Sequence, residues 1–157
     1  MSVETSTDAE DMLELASYHA GGSGFVARRA MPVGAVVALL TGVDVPQPTT
    51  YTIQVGRSRH IKVDEVRYLN HSCVPSTFVD TAAGRIVTLR PVQAGEDLTF
   101  FYPSTEWCMA SPFECRCGYD TCLGRVTGAE ALPARVLACY ALNEHIAELA
   151  AERDSVS

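Results

Sequence analysis

The chain has 157 residues, of which 47% are hydrophobic and 20% charged, and its net charge at pH 7 is −7. This length suits one folded domain with a real core, and the composition is that of an ordinary globular protein. The acidic net charge argues against general nucleic-acid binding, which needs a basic surface. It mildly favours positively charged partners, but it is equally explained by a need for solubility alone.

No stretch of the sequence is long and apolar enough to predict a membrane-spanning helix. The N-terminal sequence MSVETSTDAEDMLELASYH has neither a basic nor an apolar signal region, so we expect no secretion. These features predict a cytoplasmic protein in a reducing compartment, without membrane attachment. A nuclear location stays open for a eukaryotic source, although no cluster of Lys and Arg supports it.

Residues 1–15 are polar and acidic, and they predict a flexible N-terminal segment with a short helix from Ala9 to Leu15, capped by Asp8. The following part, 16–45, contains two short apolar runs that are broken by glycine and proline. This pattern predicts a strand, a turn and a second strand.

Short strands dominate the middle of the sequence. Alternating apolar and polar residues predict one hairpin around residues 56–58 and another around Ala83-Gly84. A turn at Ala94-Gly95 precedes a predicted strand from Asp97 to Tyr102.

The last part of the chain has apolar residues at helical spacing. They predict an amphipathic helix from about Leu132 to Glu152, which packs on the core or on a second copy of the chain. A monomer and a homodimer through this helix both remain open. The elements together predict a mainly β fold with one good helix.

Three of the six cysteines form a C-x-C-x4-C cluster of Cys115, Cys117 and Cys122. Cysteines two residues apart rarely pair with each other, whereas closely spaced thiolates suit tetrahedral zinc, and a reducing compartment favours metal binding over disulfides. Zinc needs a fourth ligand, for which Cys73 is the candidate and Cys108 and Cys139 are rivals. Unpaired structural thiols are the alternative interpretation.

Three further motifs carry polar groups. A glycine-rich turn stands before a strand at 18–25, and the sequence NHSC at 70–73 places hydrogen-bonding and metal-binding residues side by side. The third motif, GEDLTFFYPSTEW at 95–107, places a tyrosine at the end of an apolar strand.

In this order, the motifs resemble those of the SET-domain protein methyltransferases with a post-SET zinc module. Gly22-x-Gly24-Phe25 is similar to part of the family's N-terminal strand pair, and the segment 70–75 resembles its signature NHSCxPN. The segment 95–102 resembles GEELTFDY, and the cysteine cluster resembles the post-SET cysteines. The resemblance covers roughly residues 17–125.

The resemblance implies a SET-domain fold of short curved β-sheets with a pseudoknot. It implies a SET domain at 16–110, a post-SET zinc-binding loop at 111–126, and a C-terminal helix and tail at 127–157. In this family the NHSC segment and the GEELTFDY strand meet at the active site. S-adenosylmethionine and the substrate lysine enter a narrow channel there from opposite faces.

The resemblance also implies roles for single residues. Tyr102 takes the place of the catalytic tyrosine, and Cys73 becomes the fourth ligand of one structural zinc ion, with Cys115, Cys117 and Cys122. Leu123 is expected to cover the adenine of the cofactor. The other residues implied in holding S-adenosylmethionine are Gly22, Gly24, Phe25, Asn70 and His71.

Four aromatic residues are candidates on weaker grounds. Trp107 is expected to stack on the adenine or to wall the channel, with a packing anchor as the alternative. Tyr51, Phe100 and Phe101 are expected to line the substrate channel, with simple core packing as the alternative. Apolar walls suit the reaction, because the acceptor amine must lose its proton and an apolar channel beside a sulfonium lowers the pKa of an amine.

The sequence departs from the family's pattern at Ser76 and Phe101, and its insert between Gly42 and Leu69 is short. We predict an S-adenosylmethionine-dependent methyltransferase that acts on a protein lysine ε-amine. Methylation of a small-molecule amine and a catalytically silent SET-like binding module are the alternatives. Direct contact with nucleic acid or a membrane is not expected.

Overall fold

The computed structural model describes residues 12–17, 22–64 and 67–156, and within these ranges the chain is mainly β. The strands are β1 (Leu13–Ser17), β2 (Ser23–Ala27), β3 (Val36–Leu39), β4 (Val43–Val45), β5 (Thr52–Gln54), β6 (His60–Lys62), β7 (Asn70–His71), β8 (Thr77–Asp80), β9 (Arg85–Thr88), β10 (Asp97–Phe100), β11 (Phe113–Glu114) and β12 (Arg125–Val126). The helices are α1 (Ala134–Leu137) and α2 (Glu144–Ser155), and 3-10 turns occupy Tyr102–Ser104 and Ala129–Ala131. The predicted fold class is confirmed.

The main sheet is organised around β10. Its strand order is β1-β2-β10-β8-β9-β3, and β7 pairs with β10 as well. β10 runs antiparallel to β2 and parallel to both β7 and β8. The carboxyl end of β10 therefore lies beside Asn70 and His71, while its other end pairs with the strand that carries Phe25.

The chain forms two smaller sheets besides the main one. β4, β6 and β5 form a three-stranded sheet, and β11 pairs with β12 on either side of the cysteine cluster. Both predicted hairpins are confirmed, because β5 pairs with β6 and β8 with β9 in antiparallel register. Gly84 adopts a φ of 70° in the second turn, a conformation that favours glycine.

The core lies under the main sheet, with a smaller cluster near the C-terminus. Val37, Val79, Ile86 and Leu98 are almost fully buried in the first. Ala129, Leu137 and Ile146 form the second, which we call the C-terminal cluster. None of the helices in the described ranges is long and apolar enough to cross a membrane.

The predicted N-terminal helix is wrong from Leu13 onward. Leu13–Ser17 is a strand that pairs along its whole length with β2, from Leu13 opposite Ala27 to Ser17 opposite Ser23. The ladder outweighs helix propensity because a helix this short is marginal by itself. Met12 keeps a helical conformation, and residues 9–11 of the predicted helix lie outside the described residues.

The predicted C-terminal helix is two helices rather than one. α1 ends at Leu137 and α2 begins at Glu144, and the buried Asn143 lies between them in an extended conformation. Its side-chain amide donates to the carbonyl oxygens of Val79 and Ser104, at 2.8 and 2.9 Å. The helical spacing of apolar residues continues through this break, so the sequence pattern does not predict it. The break is stabilised by contacts to distant parts of the chain.

Candidate active site

A cavity of about 820 Å³ opens beside the carboxyl end of β10. Pockets of this size hold cofactor-sized ligands. Aromatic and polar side chains dominate its wall; those used below are Tyr51, Arg67, Tyr68, Asn70, His71, Phe100, Tyr102, Glu106 and Phe113.

Tyr102 is held at the centre of this wall. β10 ends at Phe100, and Tyr102 opens a 3-10 turn that continues with Pro103. Its hydroxyl donates a hydrogen bond to the carbonyl oxygen of Leu69, at 2.8 Å. Burial raises the pKa of Tyr102 above its ordinary value, and the nearby charge of Glu106 adds to this effect. The phenol is therefore a hydrogen-bond donor at neutral pH and not a base.

His71 positions the same turn. Its Nδ1 accepts a hydrogen bond from the backbone N–H of Tyr102 at 3.1 Å, and the two rings meet edge to face at 5.2 Å. Burial lowers the pKa of His71 to about 4, so the imidazole is neutral and its Nε2 carries the proton. Nε2 lies 3.3 Å from the Sγ atom of Cys73, to which it donates.

Asn70 connects the cavity to the glycine-rich strand. Its side-chain amide donates to the carbonyl oxygen of Ser23, at 2.9 Å. Gly22, Gly24 and Phe25 surround Ser23 in the chain, and Phe25 is buried in the core. The bond places Ser23 next to Asn70, and Gly22, Gly24 and Phe25 are not among the described residues that line the cavity.

Aromatic rings form much of the cavity wall. Phe100 lies 4.7 Å from the Tyr102 ring, and Phe113 lies 5.7 Å from it on another side. Tyr51 and Tyr68 meet edge to face at 6.2 Å. Such faces attract cations and exclude water, and this suits an amine or a methylated ammonium.

The structure separates Phe101 from the other predicted wall residues. Its ring stacks on Tyr140 with centroids 3.5 Å apart and faces a second cavity of about 750 Å³. Phe100 and Phe101 are neighbours on an extended chain, and neighbouring side chains there point to opposite faces. Phe101 therefore lies outside the wall of the first cavity, and its role in the substrate channel stays a prediction.

Trp107 and Leu123 also lie away from the cavity. The Trp107 ring packs on the C-terminal cluster, with the Arg153 guanidinium 5.6 Å from its centroid. Leu123 borders the second cavity with Cys73 and Phe101. In this conformation the packing-anchor interpretation fits Trp107, because α2 and the preceding turn close around its ring.

Sequence reasoning missed three residues of the wall, namely Tyr68, Glu106 and Phe113. Tyr68 and Phe113 each stand close to a recognised motif, but an isolated aromatic residue carries no signal that separates a wall from a core. Glu106 carries the clearest sequence signal of the three, because it is a charged residue between Thr105 and Trp107. The structure buries this segment.

Four cysteines form a candidate metal centre next to His71. The Sγ atoms of Cys73, Cys115, Cys117 and Cys122 all lie within 4.8 Å of one another, and those of Cys73 and Cys115 are 3.8 Å apart. A tetrahedral zinc ion with bonds of about 2.3 Å places its sulfur ligands about 3.8 Å apart. The donor set therefore fits zinc, and the rivals Cys108 and Cys139 are exposed and lie outside the cluster.

A thiolate at Cys73 is costly without a cation beside it. The backbone N–H of Leu123 donates to its Sγ atom at 3.3 Å. Burial nevertheless raises the pKa of the Cys73 thiol to about 11. A thiolate at this position needs a positive charge beside it, and a metal ion supplies one.

Comparisons of the sequence with known proteins point to one family. A family model described as SET domain matches residues 19–103. The methyltransferase flvH of Aspergillus flavus is 41% identical over 126 residues, which cover 78% of this chain and 71% of that protein. The histone-lysine N-methyltransferase Su(var)3-9 of Drosophila melanogaster is 34% identical over 94 residues, which cover 48% of this chain but only 14% of that protein.

The fold gives the same result. The crystal structure of KRYPTONITE in complex with mCHG DNA and SAH aligns with a TM-score of 0.57 and 21% identity, over 72% of this chain and 28% of that one. At this identity the alignment supports the fold. Together with the family model and the Aspergillus flavus relative, it shows that the chain belongs to the SET-domain family of methyltransferases.

Proposed function

We propose that this protein transfers a methyl group from S-adenosylmethionine to an amine nitrogen, and that the amine is the side chain of a lysine in a protein. The observation that carries this proposal is the meeting of Tyr102, Asn70 and His71 at the end of β10, on the wall of one cavity. These are the residues for which the family resemblance implies the catalytic and cofactor-binding roles.

The cavity is large enough for S-adenosylmethionine, and the residues near it have polar groups that could bind this molecule. When bound, this molecule supplies an electrophilic methyl carbon on a sulfonium. Asn70 and His71 would hold it, together with main-chain groups around Gly22, Gly24 and Phe25, which the bond from Asn70 to Ser23 brings alongside. The volume of about 820 Å³ leaves room for an acceptor as well.

The wall prepares the acceptor amine. A lysine amine has an ordinary pKa of about 10.4, and it must lose its proton before it can attack. Phe100, Tyr51 and Phe113 give the cavity apolar surface, and a less polar environment lowers the pKa of an amine. The hydroxyl of Tyr102 is fixed by its bond to Leu69 and orients the reacting groups, so that positioning supplies much of the rate.

We propose further that the four cysteines hold one structural zinc ion. The ion would tie the loop at 111–126 to Cys73, two residues from His71. The zinc would thus stabilise one side of the cavity wall, where Phe113 lies 5.6 Å from the His71 ring.

Methyl-labelled S-adenosylmethionine tests the proposal with three proteins: the wild type, Tyr102→Phe and the control Tyr119→Phe. Tyr119 is about half exposed, and its ring lies outside the cavity wall among the described residues. We expect Tyr102→Phe to bind S-adenosylmethionine in calorimetry but to transfer label at least about a hundredfold more slowly, as for the loss of one oriented donor. Transfer by Tyr102→Phe at the wild-type rate contradicts the proposed role.

A small-molecule amine is the second candidate acceptor. The matched part of the chain covers only 14% of the Drosophila histone methyltransferase and 7% of the H3 lysine-36 specific enzyme of Gibberella zeae, but most of the Aspergillus flavus methyltransferase. The chain therefore spans only a small share of the relatives whose names specify histone. The mass of the labelled product separates the two acceptors: label in protein supports lysine, and label only in low-mass amines supports the second candidate.

A further inference from the structure

Glu106 is a buried acid on the wall of the active-site cavity. Its side chain is only 9% exposed, and the cavity is the open space that it borders. Burial raises the pKa of this carboxyl above its ordinary value. A buried carboxylate is costly unless something compensates its charge, so its surroundings are informative.

One oxygen of Glu106 is fixed by the protein. Oε2 accepts hydrogen bonds from the backbone N–H of Gln54 at 2.8 Å and from the Thr105 hydroxyl at 2.7 Å. Both donors are themselves buried, and the Gln54 side chain is held in turn by the backbone N–H of Trp107 and the carbonyl of Gly56. The carboxylate therefore has a single orientation that is set by the fold.

The other oxygen, Oε1, has no donor in the part of the chain that the structure describes. Oε1 is also not fully buried. In the described ranges, the fully buried side-chain atoms that lack a partner are His60 Nδ1 and Ser104 Oγ, and Oε1 is not one of them. The small exposed area of Glu106 thus includes Oε1, and Glu106 lines the cavity.

No fixed cation neutralises Glu106 within the part of the chain that the structure describes. Other carboxylates have arginine partners, such as Glu96 with Arg90 at 2.7 Å and Glu114 with Arg125 at 3.3 Å. Arg67 also lines the cavity, but its guanidinium lies over the Tyr68 ring at 4.9 Å. Glu106 is therefore a carboxyl group that the fold orients next to aromatic rings, and in its ionised form this combination suits a positively charged ligand.

We propose that Glu106 recognises an alkylammonium group of the substrate, a proposal that rests on the function proposed above. The ammonium would donate to Oε1, while the aromatic wall contacts its alkyl chain. An ion pair favours the protonated amine, so Glu106 contributes to substrate affinity and not to the transfer step. It is a specificity determinant that selects amines over neutral chains of the same shape.

Binding of n-butylammonium chloride and of 1-butanol, measured by calorimetry or NMR titration, tests this directly. We expect the wild type to prefer the ammonium, and Glu106→Gln to bind it about tenfold or more weakly, as for the loss of a charged hydrogen bond. The alcohol should bind both proteins equally. Equal ammonium affinity in Glu106→Gln and wild type, or a wild type without preference for the ammonium, overturns the inference.

Two further variants separate charge from packing. Glu106→Asp keeps the charge and should retain a preference for the ammonium over the alcohol. Glu148→Gln removes an exposed carboxylate from α2 and should leave the ammonium affinity unchanged, because bulk charge is screened by salt. Loss of the preference in Glu106→Asp together with an effect in Glu148→Gln would show a general charge or folding effect and overturn the inference.

Steady-state methyl transfer distinguishes this inference from the proposed function. We expect Glu106→Gln to raise the KM for the amine about tenfold without lowering kcat, because the ion pair favours the protonated amine and the transfer needs the neutral one. A wild type that transfers methyl groups while Glu106→Gln keeps its KM overturns only the role of Glu106. A Glu106-dependent ammonium site without methyl transfer overturns the proposed function and supports the site.

Discussion

Single positions decide what the cavity presents to a ligand. Phe100 and Phe101 are adjacent and chemically identical, yet one lines the cavity and the other stacks on Tyr140. The difference comes from the alternation of side chains on an extended chain. The orientation of Glu106 has a different origin. It is set by hydrogen bonds from two donors, the Gln54 backbone N–H and the Thr105 hydroxyl.

The raised pKa of Glu106 makes a prediction about stability against pH. The folded state keeps the Glu106 proton to a higher pH than the unfolded state, whose carboxyl has the ordinary pKa of 4.5. The stabilising contribution of Glu106 is thus complete below about pH 4.5 and is lost as the pH rises through the raised pKa of the folded protein. Glu106→Gln stays neutral and lacks this loss.

We therefore expect the stability of Glu106→Gln relative to wild type to increase between about pH 4.5 and neutral pH. Urea unfolding of both proteins at several pH values measures it, and the difference between them cancels the other titrating groups. A difference that stays constant over this range contradicts a raised Glu106 pKa.

At the scale of elements, β10 and the segment between α1 and α2 organise the site. β10 pairs with β2, β7 and β8, so three distant parts of the chain meet at its ends. Asn143 connects the C-terminal helices to this arrangement. Its amide bonds to Val79 and Ser104, and its Oδ1 accepts from the backbone and the hydroxyl of Thr81.

Asn143→Ala tests this connection. The substitution removes the side-chain donor to the buried Val79 carbonyl and the acceptor of the partly buried Thr81 N–H, and each unsatisfied group is costly. The Ser104 carbonyl loses one of its two donors and keeps the backbone N–H of residue 143. We expect a loss of about 2–4 kcal/mol in the free energy of unfolding, measured with urea. Ser155→Ala, an exposed change on α2, should remain within about 0.5 kcal/mol of wild type. Similar values for the two variants contradict the role of Asn143.

At the scale of the whole molecule, the metal centre joins parts of the chain that secondary structure does not connect. Cys73 follows β7 in the main sheet, while the other three thiols lie between β11 and β12. A bound ion would hold the small β11–β12 hairpin against the main sheet. The position of Phe113 on the cavity wall depends on this hairpin.

We expect the purified protein to contain one zinc ion per chain and Cys117→Ser to lose it, because the cluster then has three thiolates. The matched control Cys139→Ser removes an exposed thiol outside the cluster and should keep the metal. Elemental analysis measures both.

Chelation should lower the free energy of unfolding of the wild type. The loss is about 2.7 kcal/mol for an ion present at a hundred times its dissociation constant, and Cys117→Ser should be unaffected. A folded wild type without metal, or zinc retained in Cys117→Ser, contradicts the assignment.

The sequence by itself determined the mainly β class, both hairpins and the cysteines of the candidate metal centre. These features depend on local chemistry: alternation along a strand, turn residues such as Gly84, and the close spacing of Cys115, Cys117 and Cys122. The ordered motifs added the family and the position of Tyr102 beside Asn70 and His71.

Only the tertiary structure decided the strand at Leu13–Ser17, the break before Asn143, the orientation of Phe101 and the exposure of one Glu106 oxygen. Each depends on a contact between residues far apart in the chain. Glu106 is 52 positions from Gln54, and Asn143 is 64 positions from Val79. Local patterns carry no information on such pairs, because the free energy that selects them arises only when the distant segments pack together.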